Sequence, residues 1–350
     1  QSWEKLIKDI HQADLNNILL EFTATLDYEK PDIVKKYEDK VLFKYDLKQF
    51  RLDKFSKEIN LIRSNYDEKE RVIQAIILNQ YRQELATKQN INLKPVILFK
   101  AKQTIKESEK NKQNFHQLIE SLDENSINSI RETSTVTIVQ KAFSFFDSNH
   151  LSSNELAKRL KSNFRPENCL SANDDKEAEA NQIKLNTLED ANNPIRAIFA
   201  VQKLNEGWDV LNLFDIVRLY EGQNSGGSNK TFGKTTVAEA QLIGRGARYF
   251  PFTLDIDQDK YRRKYDDAID NDFKVLEELY YHTKDESKYI SELKKALEHF
   301  GSTEKEEDFI QLSLELKDDF KKTDFYKTGT VVFNKRKEKS YAGIKSFADL

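Results

Sequence analysis

The chain has 350 residues, which is enough to bury a sizeable core, and its formal net charge is −3 at pH 7. This nearly neutral balance excludes a uniformly basic surface, so any nucleic-acid contact must come from a local cluster of Lys and Arg. The single cysteine, Cys169, excludes a disulfide framework. No signal peptide or long apolar span is recognisable, so we expect a cytoplasmic protein that does not enter a membrane.

Apolar patterning predicts alternating strands and helices as far as about Pro251. Predicted strands cover residues 18–25, 40–47, 95–100, 135–139 and 195–201, and a further apolar run lies at 213–220. Predicted helices cover residues 68–88, whose opposite face is polar, 105–122, and 153–161, which begins with a Ser cap. This alternation favours βαβ units and therefore an α/β fold with a mainly parallel sheet flanked by helices.

The pattern changes after Pro251. Residues 272–281, 287–299 and 304–322 have the spacing of amphipathic helices, and residues 329–334 have the composition of a short strand. We therefore expect a mainly helical C-terminal extension.

The segment Gln241–Arg248 carries the most specific chemical signal. It contains two glycines, which predict a turn, and two arginines three residues apart, which share one face if the segment is helical. A guanidinium is a permanent cation with a planar donor fork that fits phosphate oxygens. Two such forks together suit a γ-phosphate during its transfer. A surface turn with two solvated arginines is the alternative interpretation, and the upstream sequence decides between them.

Upstream, Asn205–Asp209 follows the predicted strand at 195–201. A strand followed by a glycine turn and an acid is typical of ligand-binding groups beyond the carboxyl ends of parallel strands. An ordinary turn would explain Gly207 and Asp209 equally well in isolation. Together with the arginine segment, a binding role is favoured.

Taken in order, these segments resemble the superfamily 2 helicase-like ATPases, specifically the restriction (Res) subunit of type III restriction-modification enzymes. The Glu-Gly-Trp-Asp sequence at 206–209 and the Arg-Tyr-Phe-Pro-Phe sequence at 248–252 point to this family over generic helicases. The resemblance covers roughly Leu15–Gly301. Its parts are 22–25 (motif III), 95–100 (motif IV), 193–221 (motif V), 241–252 (motif VI) and 276–290, a segment beyond motif VI.

The resemblance implies a RecA-like fold that binds ATP and Mg²⁺ between two lobes, of which this chain supplies mainly the second. Residues 1–30 would hold the last strand of the first lobe and a linker, and residues 31–262 the second lobe. Residues 263–350 would form a helical connector toward a nuclease domain outside the chain. The family's Walker A loop and acidic Mg²⁺-binding motif do not precede Phe22.

The resemblance also implies roles for individual residues. Arg245 and Arg248 would act as arginine fingers on the γ-phosphoryl group, and Gln241 would hydrogen-bond near that phosphate or its attacking water. The other implied sets are Glu206, Gly207, Asp209 and Gly244 at ATP, Thr23 and Thr25 in coupling the lobes, and Lys100 and Lys102 at DNA. Glu206 would alternatively orient Arg245.

Three other possible sites are not favoured. Residues 228–235 end like a P-loop, but Ser228 stands where a P-loop requires glycine, so a flexible loop at 222–227 is favoured. The acids near Lys321 do not form a convincing nuclease set, and the five histidines are too scattered for a metal site. No protein-held metal site is predicted.

The expected function is therefore an ATP-dependent DNA translocase coupled to endonucleolytic cleavage, with double-stranded DNA and a methyltransferase (Mod) subunit as partners. One alternative is another superfamily 2 translocase, such as a type I restriction motor or a stand-alone helicase, which differs in its nuclease and methyltransferase requirements. The other is a non-catalytic nucleotide- or DNA-binding module of the same fold. An intact Walker A loop upstream would favour the motor over the module.

Overall fold

The structure is a computed structural model that describes residues 3–22, 31–102, 104–172, 178–201, 210–222, 232–268, 270–303 and 318–329. The chain divides into two compact units, Gln1–Lys305 and Glu306–Leu350. In the second unit the described residues form two short helices, α12 (Asp318–Lys321) and α13 (Asp324–Thr328).

The first unit is built around a parallel sheet. Its strands are β1 (Glu58–Ser64), β2 (Val96–Lys100), β3 (Cys169–Ser171), β4 (Ala197–Ala200), β5 (Leu213–Arg218) and β6 (Glu278–Lys284). In the described part of the chain these six strands pair in the order β1-β6-β5-β2-β4-β3, and every pairing is parallel. The predicted α/β class with a mainly parallel sheet is confirmed.

The first unit also contains helices, some of which cover the two faces of this sheet. Their bounds are α1 (Trp3–Gln12), α2 (Pro31–Tyr37), α3 (Leu47–Leu52), α4 (Glu68–Lys88), α5 (Ile105–Ser121), α6 (Glu124–Thr133), α7 (Thr137–Ser148), α8 (Ser153–Asn163), α9 (Ala178–Asn186), α10 (Lys234–Gly246) and α11 (Ser287–His299). Short 3-10 helices lie at Pro166–Asn168 and Asp272–Glu277.

Alternation along the strands divides the core in two. In β2, Ile97 and Phe99 pack into the cluster formed with α4 to α8, whereas Val96 and Leu98 pack into the cluster formed with α10 and α11. This follows from the two-residue period of a strand, which sends successive side chains to opposite faces. The central strands are buried on both faces and therefore have continuous apolar sequences.

Helix α4 confirms the predicted helix at 68–88, and a capping box between Asp67 and Glu70 begins it. Its polar face is also buried, because β5 carries an acid in its interior. Asp215 accepts hydrogen bonds from Arg82 Nη1 at 2.6 Å and from Asn79 Nδ2 at 3.2 Å. The Asp215 carboxylate also lies 3.0 Å from His282 Nε2 of β6. This buried polar network joins the helix to the middle of the sheet.

Two predicted strands near the N-terminus are wrong. Residues 18–22 form no strand and are exposed, with Ile18 at 84% and Phe22 at 90%; residues 23–25 lie outside the described residues. Residues 41–46 are also irregular and exposed, and α3 begins at Leu47. In both places the apolar run has no neighbouring strand among the described residues with which to form a ladder.

Two further predictions have the wrong element type. The predicted strand at 135–139 is the beginning of α7, since Val139, Ala142, Phe143 and Phe146 continue the pattern at helical spacing. The predicted helix at 272–281 is a 3-10 turn followed by β6. Short apolar runs do not distinguish a buried strand from a buried helix by period alone.

The remaining predicted elements agree with the structure where it describes them. The strands at 95–100 and 195–201 correspond to β2 and β4, and the apolar run at 213–220 contains β5. The helices at 105–122, 153–161 and 287–299 correspond to α5, α8 and α11, and the predicted Ser cap is Ser152. Most of the predicted helix at 304–322 and of the predicted strand at 329–334 lies outside the described residues.

Candidate functional site

The motif VI segment occupies the end of α10. Gly244 and Gly246 lie within the helix, so the expected glycine turn is wrong. A Cβ atom at Gly246 would stand 3.0 Å from Leu213 Cδ2 and 3.3 Å from Leu279 Cδ2. The glycine therefore allows the end of the helix to approach the sheet closely.

The two arginines do not share a helical face. Arg245 lies in the last turn of α10, whereas Arg248 follows the C-cap residue Ala247 and forms an antiparallel bridge with Ser56. Both arginines are half-buried, and Gln241 is exposed. Burial lowers the pKa of Arg248. Arginine nevertheless remains a cation at neutral pH because its ordinary pKa is above about 12.

The arginine segment lies at the amino-terminal edge of the sheet. Ser56 lies two residues before β1, and the backbone nitrogen of Lys57 donates to Ala247 O at 2.5 Å. The expectation from motif V placed ligand-binding groups beyond the carboxyl ends of the strands. The arginines lie at the opposite edge, because α10 runs antiparallel to β5 and returns the chain to the beginning of that strand.

Lys57 is a residue that sequence reasoning missed. Its side chain is fully buried, and Nζ donates to Leu211 O at 2.7 Å, Leu213 O at 2.8 Å and Gly246 O at 3.1 Å. The ammonium also lies 4.4 Å from the centre of the Phe214 ring. One side chain thus joins the segment after motif V, the beginning of β5 and the end of the motif VI helix. A polar residue directly before a strand gave no signal of this role.

Several predicted site residues lie outside the described residues. These are Glu206, Gly207 and Asp209 of motif V and Thr23 and Thr25 of motif III. The chain is described again from Val210, three residues before β5 begins. The motif V residues therefore precede, in sequence, the strand end that Lys57 contacts. Residues 223–231, which contain the first half of the P-loop-like sequence at 228–235, are also outside, and α10 begins at Lys234.

The two motif IV lysines lie at the carboxyl-terminal edge and differ in exposure. Lys100 is 6% exposed, its Nζ donates to Val201 O at 3.5 Å, and burial lowers its pKa. Lys102 is half-buried, and its backbone nitrogen donates to Glu107 Oε1 at 3.3 Å. Of the two ammonium groups, that of Lys102 is the more accessible to a polyanion.

A second buried network lies at this carboxyl-terminal edge. The Arg218 guanidinium lies between the rings of Tyr220 and Tyr289, at 4.1 and 3.9 Å from their centres. It pairs with Glu286 at 2.8 Å and with Glu239 of α10 at 3.6 Å. Glu239 also accepts a hydrogen bond from Tyr289 Oη at 2.5 Å. The sequence pattern did not indicate that Arg218 and Glu239 form an ion pair, because they belong to separate elements that meet only in the folded chain.

The described residues contain no group of three His, Cys, Asp or Glu side chains positioned for a metal ion. In the same part of the chain, no helix is both long and apolar enough to cross a membrane. The cationic groups at the amino-terminal edge fit the phosphates of a nucleotide. The described acids do not form a site for its Mg²⁺.

Comparison with known proteins identifies two curated relatives from Haemophilus influenzae. The "Probable type III restriction-modification enzyme HindVIP Res subunit" is 39% identical over 267 residues, which cover 67% of this chain and 50% of that protein. An uncharacterized protein is 40% identical over 110 residues, which cover 31% of this chain and 24% of that protein. The chain therefore spans half or less of the length of these relatives. The family model HI_1054_N, an N-terminal region, matches residues 235–306.

Two solved structures show a weaker likeness. A structure described as an HsdR-subunit fragment of a type I restriction enzyme from Vibrio vulnificus YJ016 has 13% identity and a TM-score of 0.34, covering 81% of this chain and 42% of that chain. S. cerevisiae Dbp5 bound to RNA and ADP BeF3 has 12% identity and a TM-score of 0.31, covering 85% and 60%. The assignment therefore rests on the sequence match. The resemblance predicted from the motifs is confirmed: over two thirds of its length, this chain is related to the Res subunit of a type III restriction-modification enzyme.

Proposed function

We propose that this chain is mainly the second RecA-like lobe of the ATP-driven DNA motor in a type III restriction enzyme. The observation that carries the proposal is the meeting of two segments at one edge of the sheet. The arginine segment of motif VI and the segment that follows motif V are joined there through Lys57. The 39% identity to a Res subunit supports the same assignment.

In this proposal, ATP and Mg²⁺ bind between the amino-terminal edge and another lobe that holds the phosphates. Arg245 and Arg248 reach across the cleft and stabilise the charge that develops on the γ-phosphoryl group. Gln241, which is exposed, hydrogen-bonds to that phosphate or to the attacking water. An arginine finger accelerates hydrolysis by about 10³–10⁵-fold. This corresponds to roughly 4–7 kcal/mol of barrier.

The residues around the nucleotide complete the proposed site. Gly207 allows close backbone approach, Asp209 contacts the ribose or couples the nucleotide state to DNA, and Glu206 contacts ATP or orients Arg245. Gly244 lies near the end of α10, close in sequence to Arg245 and Arg248, and contributes to the ATP site. Thr23 and Thr25 link the two lobes, because small hydroxyl side chains re-pair easily as a cleft closes.

DNA is proposed to bind at the opposite, carboxyl-terminal edge. Lys102 provides the accessible positive charge there, and Lys100 supports the strand end from a buried position. Helix α10 connects the two edges, since Glu239 lies in the Arg218 network and Arg245 lies at the other end. A helix of 13 residues is about 20 Å long at about 1.5 Å per residue, comparable with the height of the sheet.

The partners follow from the assignment to a type III enzyme. A methyltransferase (Mod) subunit recognises the DNA site, and a nuclease domain of the whole protein cuts double-stranded DNA. The motor consumes ATP to move along the duplex. The chain contributes the arginine fingers and the coupling between ATP and DNA.

The test is Arg248→Ala in the full-length protein with its methyltransferase partner. DNA-stimulated ATP hydrolysis, measured as phosphate release, is expected to fall by about 10³-fold or more because the developing charge loses its counterion. Thermal unfolding should change little. Arg159→Ala, on the exposed side of α8, is the matched control and should hydrolyse ATP at the wild-type rate. Hydrolysis by Arg248→Ala at the control's rate would contradict the finger assignment.

A further inference from the structure

We propose that Lys57 is the positioning residue that fixes Arg248 for catalysis, by clamping the end of α10 to the beginning of β5. This inference rests on the proposed function, because it assigns to Lys57 the task of holding an arginine finger. The residue does not touch the nucleotide in this proposal. It acts through the backbone of Gly246 and Ala247, which directly precede Arg248.

The chemistry of lysine fits the position closely. An ammonium group has three N–H donors, and three backbone carbonyls lie 2.7, 2.8 and 3.1 Å from Nζ. One of them, Gly246 O, belongs to the last turn of α10, whose carbonyls have no partner within the helix. A positive charge at this end is also favoured by the helix dipole. A neutral amine has only two N–H donors and would leave one carbonyl unsatisfied.

Burial is the largest influence on Lys57 and lowers its pKa well below the ordinary value, and Arg82 lowers the pKa further. Glu189 and Asp215 are negative neighbours that favour the charged form. Burying the charged Lys57 side chain therefore costs free energy, which its hydrogen bonds and the nearby carboxylates must offset. A position that only required packing would be satisfied by an apolar side chain.

The backbone beside Lys57 extends the clamp to Arg248 itself. Lys57 N donates to Ala247 O at 2.5 Å, and Ser56 pairs with Arg248 in the antiparallel bridge. On the other side, Leu211 lies two residues after Asp209 of motif V. A displacement of Leu211 would therefore be transmitted toward Arg248 through the Lys57 side chain and the bridge with Ser56. Such a link makes the finger position depend on the segment that enters β5.

Lys94 provides a matched control, since it also lies just before a strand of the sheet and binds backbone carbonyls through its ammonium group. Its Nζ donates to Asp190 O at 3.1 Å and to Asn193 O, so it is also a lysine that binds two backbone carbonyls. It precedes β2, and in the described part of the chain its ammonium group binds these carbonyls, which lie outside α10 and residues 247–248. Replacing either lysine by methionine removes the donors while keeping an unbranched side chain of similar length.

The experiment is a double-mutant cycle in the full-length protein with its methyltransferase partner. The proteins are wild type, Lys57→Met, Arg248→Ala and the double variant, with Lys94→Met as control. ATP hydrolysis is measured with DNA under single-turnover and steady-state conditions. Thermal unfolding establishes that each variant is folded. Hydrogen exchange of the backbone amides at residues 245–250 measures how firmly the segment around Arg248 is held, independently of activity.

If Lys57 acts through Arg248, Lys57→Met lowers kcat by about 10²-fold, the scale expected for a misplaced catalytic group. The KM for ATP changes by less than about 3-fold, because the finger acts mainly in the transition state. The double variant is no slower than Arg248→Ala alone, since the two changes remove the same interaction. Exchange at 245–250 rises in Lys57→Met and not in Lys94→Met, whose kcat stays near wild type.

Three results would overturn the inference. One is a folded Lys57→Met protein with wild-type kcat. A second is a double variant slowed by the full product of the single effects, which would show a role separate from Arg248. The third is wild-type hydrolysis by Arg248→Ala, which removes the proposed function itself; the first two leave that function standing.

If Lys57→Met does not fold, Lys57→Gln takes its place in the cycle. This variant retains a donor on a shorter side chain, and the same three results would overturn the inference.

Discussion

Asp215 illustrates how much one buried charge determines in this fold. It lies in the middle of β5, and its carboxylate contacts Arg82, Asn79 and His282. These partners come from α4 on one face and from β6 at the side, so the carboxylate fixes both relative to the central strand. A buried ion pair adds little net stability compared with apolar packing, but removal of one partner leaves the other charge unpaired.

Replacement of Asp215 by alanine should therefore destabilise the chain strongly. The expected loss is about 3–5 kcal/mol of unfolding free energy, because Arg82 remains buried without its counterion. The control is Asp147→Ala, whose partner Arg131 is at the surface, where a loss below about 1 kcal/mol is expected. Urea denaturation of both variants measures the difference. Equal losses would show that the Asp215 network contributes no more than a surface pair.

Cys169 gives a prediction that depends on pH. Burial raises the pKa of its thiol from the ordinary value of 9.0 to about 12. The folded chain therefore keeps a proton that the unfolded chain releases between these two values, so this group's contribution to stability is lost as the pH rises through that window. At pH 8 the native thiol should react with a disulfide reagent far more slowly than the thiol in urea. Rapid labelling of the native chain would show that β3 is open to solvent.

At the scale of elements, α10 carries residues for both edges of the sheet. Its middle contributes Glu239 to the Arg218 network, and its end carries Arg245 beside the Lys57 clamp. The helix contacts α11 on one side and β5 beneath it. Gly246 allows its last turn to lie against Leu213, Ile216 and Leu279. The position of the arginines therefore depends on close packing as well as on hydrogen bonds.

The two glycines of α10 should respond oppositely to alanine. A Cβ at Gly244 would meet Ser302 Oγ at 3.6 Å, an ordinary contact, so Gly244→Ala should stabilise the chain by roughly 0.5–1 kcal/mol through helix propensity. At Gly246 the added Cβ would press on Leu213 and Leu279, and overpacking should cost about 1–2 kcal/mol. Urea denaturation compares them. Equal effects would show that the last turn of α10 can move away from the sheet.

At the scale of the whole molecule, sequence patterns predicted the class of fold and most of the central strands. They succeeded where an apolar run was long or bounded, as in β2 and α4. They failed where tertiary partners decide: residues 18–22 have strand composition without a neighbouring strand, and β6 has a run that suits either element. The motifs predicted site roles for Gln241 and both arginines, whereas Lys57 and Arg218 had no local pattern, because their partners are distant in sequence.

The isolated 350-residue chain should hydrolyse essentially no ATP. The proposed mechanism needs the first lobe to hold the phosphates, and residues 228–235 have Ser228 where a P-loop requires glycine. Phosphate release with and without double-stranded DNA measures this. Robust turnover that disappears in Lys234→Ala would establish the P-loop interpretation in place of the two-lobe mechanism.

The enclosure of Arg218 between two tyrosine rings bears on any survey of basic residues for DNA contacts. A charge-removal scan along the carboxyl-terminal edge would include this arginine, because it ends β5 and Glu221 is exposed three residues later. Its loss would weaken DNA binding indirectly, by releasing Glu239 in the middle of α10 and Glu286 at the beginning of α11 from their shared cation. A reduced DNA affinity after replacement of Arg218 should be interpreted as loss of the packing between α10 and α11. The same result at Lys102 would identify a direct contact with the duplex.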